Sequence, residues 1–137
     1  MEISRGLTKR RAAEIKKAVE ELKSIASADK EKFLSSPTSI DAAKYKLLVA
    51  IEAALSICNH IAARLGKKVP ESYSDCFIIL GEAGLISKDL SERLARMAKF
   101  RNMLVHVYWE IEDGKVFEII QEDLKDLEEF IDEVGRL

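Results

Sequence analysis

Apolar residues recur every three to four positions along most of the chain, the repeat of helices that bury one face. From Thr8 to Ala26 the stripe is Ile15, Ala18, Val19, Leu22, Ile25 and Ala26, with lysines and glutamates between them. The segment "DKEKFLSSPTSID", Asp29 to Asp41, clusters serine, proline and threonine. It reads as a connection ending in an N-cap at Ser39 or Asp41. From that cap to Leu65 runs the most apolar helix. Leu47, Leu48, Ile51, Ala54, Leu55, Cys58, Ile61, Ala62 and Leu65 cover more than one of its faces, as expected of a central helix. Gly66 fits the position just past its end, and Pro70 follows. Ser72 can cap a third helix that stops near Gly81 or Gly84. Ser87 can cap a fourth, with Leu90, Leu94, Met97, Phe100 and Leu104 along one side. After "EDGK", a turn signal by its Asp-Gly pair, a fifth helix is predicted from about Val116 to Val134. Its inner face is Phe117, Ile120, Leu124, Leu127, Phe130, Ile131 and Val134, and its outer face is acidic. The pattern predicts an all-α protein, an antiparallel bundle of about five helices in a single domain over residues 1–137.

Composition adds limits. The chain has 137 residues, 47% apolar and 34% charged, which suits one domain with one core. A formal charge of −2 neither demands nor excludes a polyanionic partner, which would need a local basic patch. Cys58 and Cys76 make no spaced framework and read as free thiols in a reducing compartment. The amino terminus lacks the apolar stretch of a signal peptide, and no window approaches the roughly 18 apolar residues of a membrane span. A cytoplasmic protein without a membrane partner is expected.

The run "KFRNMLVHVYWEI", Lys99 to Ile111, carries unusual polar cargo. On a helix Asn102 and His106, four residues apart, share a face. Arg101 lies about 140° from His106 around the axis but is long enough to reach across. After Leu104 the period changes: Val105, Val107, Trp109 and Ile111 alternate with His106, Tyr108, Glu110 and Glu112. That alternation belongs to extended chain and would put His106 and Tyr108 on one side of a helix end. Spacing alone leaves two readings. In one, favoured on spacing, these are satisfied structural groups, with Trp109 packed inside; in the other, the run is a site. Arg93, Arg96 and Lys99 form a basic strip leading to it, either a face neutralised by the acidic fifth helix or a phosphate track for a nucleic acid. There is no glycine-rich phosphate loop, and no His or Cys stands at a ligand spacing from His60, so no metal site is expected. Glu52 is out of place in the apolar helix and predicts a cleft or an ion pair across the bundle.

"RNMLVHVYWEI" resembles the signature of HEPN domains, and specifically that of the HepT-like toxin family, Arg-x4-His-x-Tyr. Here those positions are Arg101, His106 and Tyr108, with Asn102 after the arginine. The resemblance extends from Leu47 to Ile111 and reaches the terminal helices by pattern. It implies a homodimeric helical bundle acting as a metal-independent endoribonuclease without a cofactor. It also implies a toxin whose antitoxin is a minimal nucleotidyltransferase that uses ATP to place AMP on the motif tyrosine, here Tyr108. In such chemistry the ribose 2′-OH attacks the adjacent phosphorus. The imidazole of His106 can take or give the proton near neutral pH. Arg101 can hold the phosphate in a fork, and Asn102 can orient the imidazole or donate to a phosphate oxygen. AMP on Tyr108 would block RNA by bulk and like charge. A two-fold dimer would bring two histidines to a shared cleft. Two other readings of the same residues are a non-catalytic nucleotide- or RNA-binding adaptor that pairs with a nucleotidyltransferase, and a structural helical dimer.

Overall fold

The computed structural model describes residues 4–137. Among them are seven α-helices: α1 (Arg5–Ala26), α2 (Lys30–Leu34), α3 (Pro37–Leu65), α4 (Tyr73–Glu82), α5 (Lys88–His106), α6 (Asp113–Glu122) and α7 (Leu124–Val134). A single 3₁₀ turn, Tyr108–Glu110, joins α5 to α6, and no strand occurs among the described residues. The first five helices start alike. Ser4, Asp29, Ser36, Ser72 and Ser87 each accept the backbone N–H three residues on, at Leu7, Lys32, Ser39, Asp75 and Leu90. Each bond satisfies a donor that the helix itself leaves free. Gly66 ends α3 in the left-handed conformation (φ 64°), which a residue without Cβ adopts at no steric cost.

Three expectations about helix boundaries are corrected. The Ser/Pro-rich connection contains α2, whose Phe33 is buried with its ring centre 5.1 Å from that of Phe117. Five residues are too few to show a helical period. The central helix starts at Pro37 with Ser36 as cap, not at Ser39 or Asp41. Proline suits the first helical position because its missing N–H would be unpaired there. Finally, the fifth helix is two. Asp113 and Gly114 lie in the first turn of α6 rather than in a turn before it, and Asp123 (φ −105°, ψ −5°) separates α6 from α7. The apolar spacing from Ile120 through Leu124 to Leu127 passes this break unaltered, so periodicity cannot reveal it.

Side-chain pairs set the directions of the helices. Along α1 and α3, Ser4 pairs with His60, Arg11 with Ser56 and Glu21 with Lys46, so the two run antiparallel. Ser74 on α4 donates to the Ala95 carbonyl of α5 at 3.0 Å. Gly81, further along α4, faces Ser91: a Cβ there would lie 2.6 Å from the Ser91 Cβ. That close approach needs glycine. α3 packs against every other α-helix. By length and composition alone it could cross a membrane, contrary to the sequence expectation. Here its apolar residues Leu47, Ile51, Ile57 and Ile61 are buried in the core with Ile15, Leu22, Phe77, Leu90, Leu94 and Phe130. Each such side chain contributes about 2 kcal/mol on burial. Cys58 and Cys76 are free thiols in that core, and burial pushes the Cys58 thiol far up. His60 is satisfied, its Nε2 accepting the Ser4 backbone N–H at 2.8 Å.

Candidate active site

α5 delivers the polar run to the surface. Leu104 and, beyond the helix, Ile111 are buried and pin the segment at both ends. Helix persists through His106, and the Val107 N–H still bonds to the Met103 carbonyl at 2.9 Å. Val107 itself leaves helical geometry (φ −136°, ψ 40°), and the Glu110 N–H closes the 3₁₀ turn on the Val107 carbonyl at 2.8 Å. The change of period after Leu104 therefore marks a helix end, but not the extended chain that alternation suggests.

At this end lies an open cleft of about 670 Å³. Its walls are Asn59 of α3, Pro70 to Ser72 of the following loop, Tyr73 of α4, and Arg101, Asn102, Val105 and His106 of α5. Arg101 is held on three sides. Its Nε donates to Glu52 Oε1, its Nη1 donates to Asn102 Oδ1 at 3.1 Å, and its guanidinium carbon stands 4.5 Å from the centre of the Tyr73 ring. A guanidinium over an aromatic face is attracted by the ring quadrupole, and a charged acceptor strengthens the hydrogen bond to it. Glu52, the misfit of the apolar helix, is thus the partner of Arg101 across the bundle. His106 is exposed on the cleft wall.

Tyr108 does not line this cleft. Its hydroxyl donates to Asp41 Oδ1 at 2.8 Å, near the opposite end of α3 from Asn59. The ammonium of Lys44 stands 4.4 Å from the ring centre, donates to the Tyr108 carbonyl at 3.3 Å and pairs with Asp113 at 3.7 Å. The Tyr108 hydroxyl is pushed up to about 12, first by burial, then by its bond to Asp41 and by the charges of Asp41 and Asp113. So Arg101, Asn102 and His106 share one cleft, while Tyr108 turns from His106 towards the start of α3.

The basic strip divides as well. Arg93 is taken up by carboxylates: its Nε donates to Asp89 and its Nη2 to Glu129, each at 3.0 Å, and its Nη1 to the buried Asp126. The Glu129 bond and the Asp126 charge hold its guanidinium more firmly protonated, against the effect of burial. Asp126 is shifted up, because burial outweighs the pull of Arg93. Arg93 thus follows the neutralised-face reading. Arg96 and Lys99 remain exposed, Lys99 one turn before Asn102. Trp109, expected inside, is 79% exposed; within a 3₁₀ turn flanked by Val107 and Ile111, the alternation that placed it inward no longer applies.

The family described as Ribonuclease HepT-like matches residues 15–134. The chain belongs to the HepT-like ribonuclease family. It is 32% identical over 120 residues to the mRNA nuclease HepT of Shewanella oneidensis, a match covering 88% of this chain and 90% of that one. A putative RNase of Archaeoglobus fulgidus is 32% identical over 101 residues, covering 74% and 76%. Among solved structures, the tri-AMPylated Shewanella oneidensis HEPN toxin in complex with MNT antitoxin superposes with a TM-score of 0.89 at 29% identity, over 98% of this chain and 100% of that one.

Three residues of this HepT-like chain contact the motif without a sequence signal that points to it. Tyr73 opens α4 as an ordinary first-turn residue, yet its ring backs Arg101. Asp41 is visible only as a candidate cap. Lys44 has the sequence pattern of an ordinary helical lysine, yet it is buried.

Proposed function

We propose that this chain is the toxin of a HEPN/nucleotidyltransferase toxin–antitoxin pair, a cytoplasmic, metal-independent endoribonuclease silenced by AMP on Tyr108. One observation carries the reading: Arg101, about 140° from His106 around the axis, nonetheless converges with Asn102 and His106 on a single open cleft at the end of α5. The relatives' names, nucleases and an AMPylated HEPN toxin with its antitoxin, support it.

In this reading an RNA phosphate sits against the outer edge of the Arg101 guanidinium, whose other edges are fixed by Glu52 and Asn102. The fork stabilises the charge that builds on the phosphorane. The imidazole of His106, open to the cleft, moves the proton between the 2′-OH and the leaving oxygen. Arg96 and Lys99 guide the backbone. Tyr45, Met103, Val105 and Trp109, all exposed around the motif, support pairing with a second copy that would add a second histidine.

Purified protein freed of AMP is expected to cut RNA in EDTA. His106→Ala and Arg101→Ala are each expected to keep the fold and lose cleavage by about 100-fold or more. Cleavage at the parent rate by both variants overturns the reading. Growth arrest that survives His106→Ala would instead mark a binding adaptor.

A further inference from the structure

We infer that Asp41 and Lys44 form the acceptor end of the AMP-transfer site: Asp41 takes the proton of the Tyr108 hydroxyl as its oxygen attacks the α-phosphorus of ATP, and Lys44 holds the ring in place. The inference deepens the proposed function and rests on Tyr108 being the residue modified.

Lys44 is 5% exposed. A buried ammonium is costly unless every contact compensates it, and its contacts converge on Tyr108. It reaches the ring face and the carbonyl of that residue, and its third partner, Asp113, holds it from α6. Asp41 stands one turn earlier on the same face of α3. The phenol is therefore pinned at its backbone, its ring and its hydroxyl.

A structural anchor explains the first two contacts but not the third. Asp41 is exposed and its bond to the hydroxyl lies at the surface, where water would satisfy the phenol equally well. What the carboxylate adds is a proton acceptor already within hydrogen-bond distance of the hydroxyl, at 2.8 Å. The hydroxyl needs one. Shifted up to about 12, it is almost wholly protonated at neutral pH and attacks only if a base removes the proton as the bond forms. The step balances. The Tyr108 oxygen bonds to the α-phosphorus, the bond from that phosphorus to the bridging oxygen breaks, pyrophosphate leaves, and the proton passes to Asp41. Lys44 over the ring offsets negative charge on the oxygen before the bond is complete. The titratable groups facing the phenol are Asp41 and Lys44 from α3 and Asp113 from α6.

The test is the rate of AMP addition by a cognate nucleotidyltransferase with magnesium and ATP, followed by intact mass on the full chain. Asp41→Asn keeps an oxygen that accepts from the hydroxyl but cannot take its proton. It is expected to slow transfer about 100-fold, and its rate should rise about tenfold per unit between roughly pH 6 and 9, where the parent is flat. Lys44→Met should lower kcat and leave the KM for ATP unchanged. Parent-like rate and pH profile in Asp41→Asn overturn the inference, as does slowing by Asp41→Ala alone, which marks an anchor. If the parent gains no AMP, or Tyr108→Phe gains as much, the reading of Tyr108 falls and the inference with it. If Tyr108 is modified and Asp41→Asn is unimpaired, only the inference falls.

Discussion

Arg101 and Glu52 meet across the α3–α5 interface, the guanidinium Nε donating to the carboxylate Oε1. With Nη1 bonded to Asn102, this leaves Nη2 as the donor that would meet the phosphate in the proposed function. Glu52 is therefore expected to act through alignment. Glu52→Gln, which still accepts from Nε, should stay within about threefold of the parent in RNA cleavage, while Glu52→Ala should lose about tenfold in kcat as the fork loosens. Equal losses in both variants would mean that the charge matters rather than the alignment.

Arg93 is expected to matter for stability rather than for RNA. Replacing it with methionine strands the buried Asp126 carboxylate, at a cost of about 3 kcal/mol. In a chain of this size that is a fall in Tm of about 10 °C. The sign with pH follows from Asp126, whose folded pKa lies above the usual aspartate value. Stability linked to a raised carboxyl is present at low pH and lost as pH rises through the folded pKa. The deficit of Arg93→Met should thus be smaller near pH 4 than near pH 8, measured by thermal melting.

Tyr108 gives a spectroscopic prediction. Phenolate absorbance of the parent minus that of Tyr108→Phe should titrate with a midpoint of about 12. The raised value means that the folded state prefers the neutral phenol. The linked stability is full below the ordinary tyrosine range and disappears between it and the folded midpoint. Asp41→Asn should bring the midpoint down by removing the carboxylate's charge and leaving a weaker, neutral acceptor on the hydroxyl. A parent midpoint at the ordinary value would contradict this geometry.

Gly81→Ala tests the α4–α5 contact. The added methyl meets Ser91 Cβ at 2.6 Å and must displace it. Overpacking should cost about 1–3 kcal/mol, more than the roughly 1 kcal/mol that alanine gains over glycine in a helix. Ser91→Gly should restore much of the loss when combined with it, read as Tm of the double variant.

What the sequence made legible follows from what periodicity can carry. The core faces of α1, α3, α5 and the α6–α7 pair were readable because each repeats over several turns. Phe33 was not, because α2 is a single turn and its burial is decided by Phe117, far along the chain. The break at Asp123 was invisible because the apolar register continues through it. At the site, the helical spacing of Asn102 and His106 anticipated a shared face, and the resemblance of the whole motif pointed to the family. The orientation of Tyr108 could not be foreseen. It depends on Asp41 and Lys44, more than sixty residues earlier, finding the phenol in three dimensions. Glu52 was recognisable as a misfit, but only the fold supplies Arg101 as its reason.

One rod carries both halves of the proposed chemistry. Asp41, bonded to Tyr108, and Glu52, bonded to Arg101, are eleven residues apart on the unbroken helix α3, roughly 16 Å along its axis. Helical pitch, not loop length, sets that interval. In the proposed function α3 would then act as a ruler: AMP on Tyr108 would start from a fixed mark, and how far it must extend to reach the arginine would be written into the turns of a single helix.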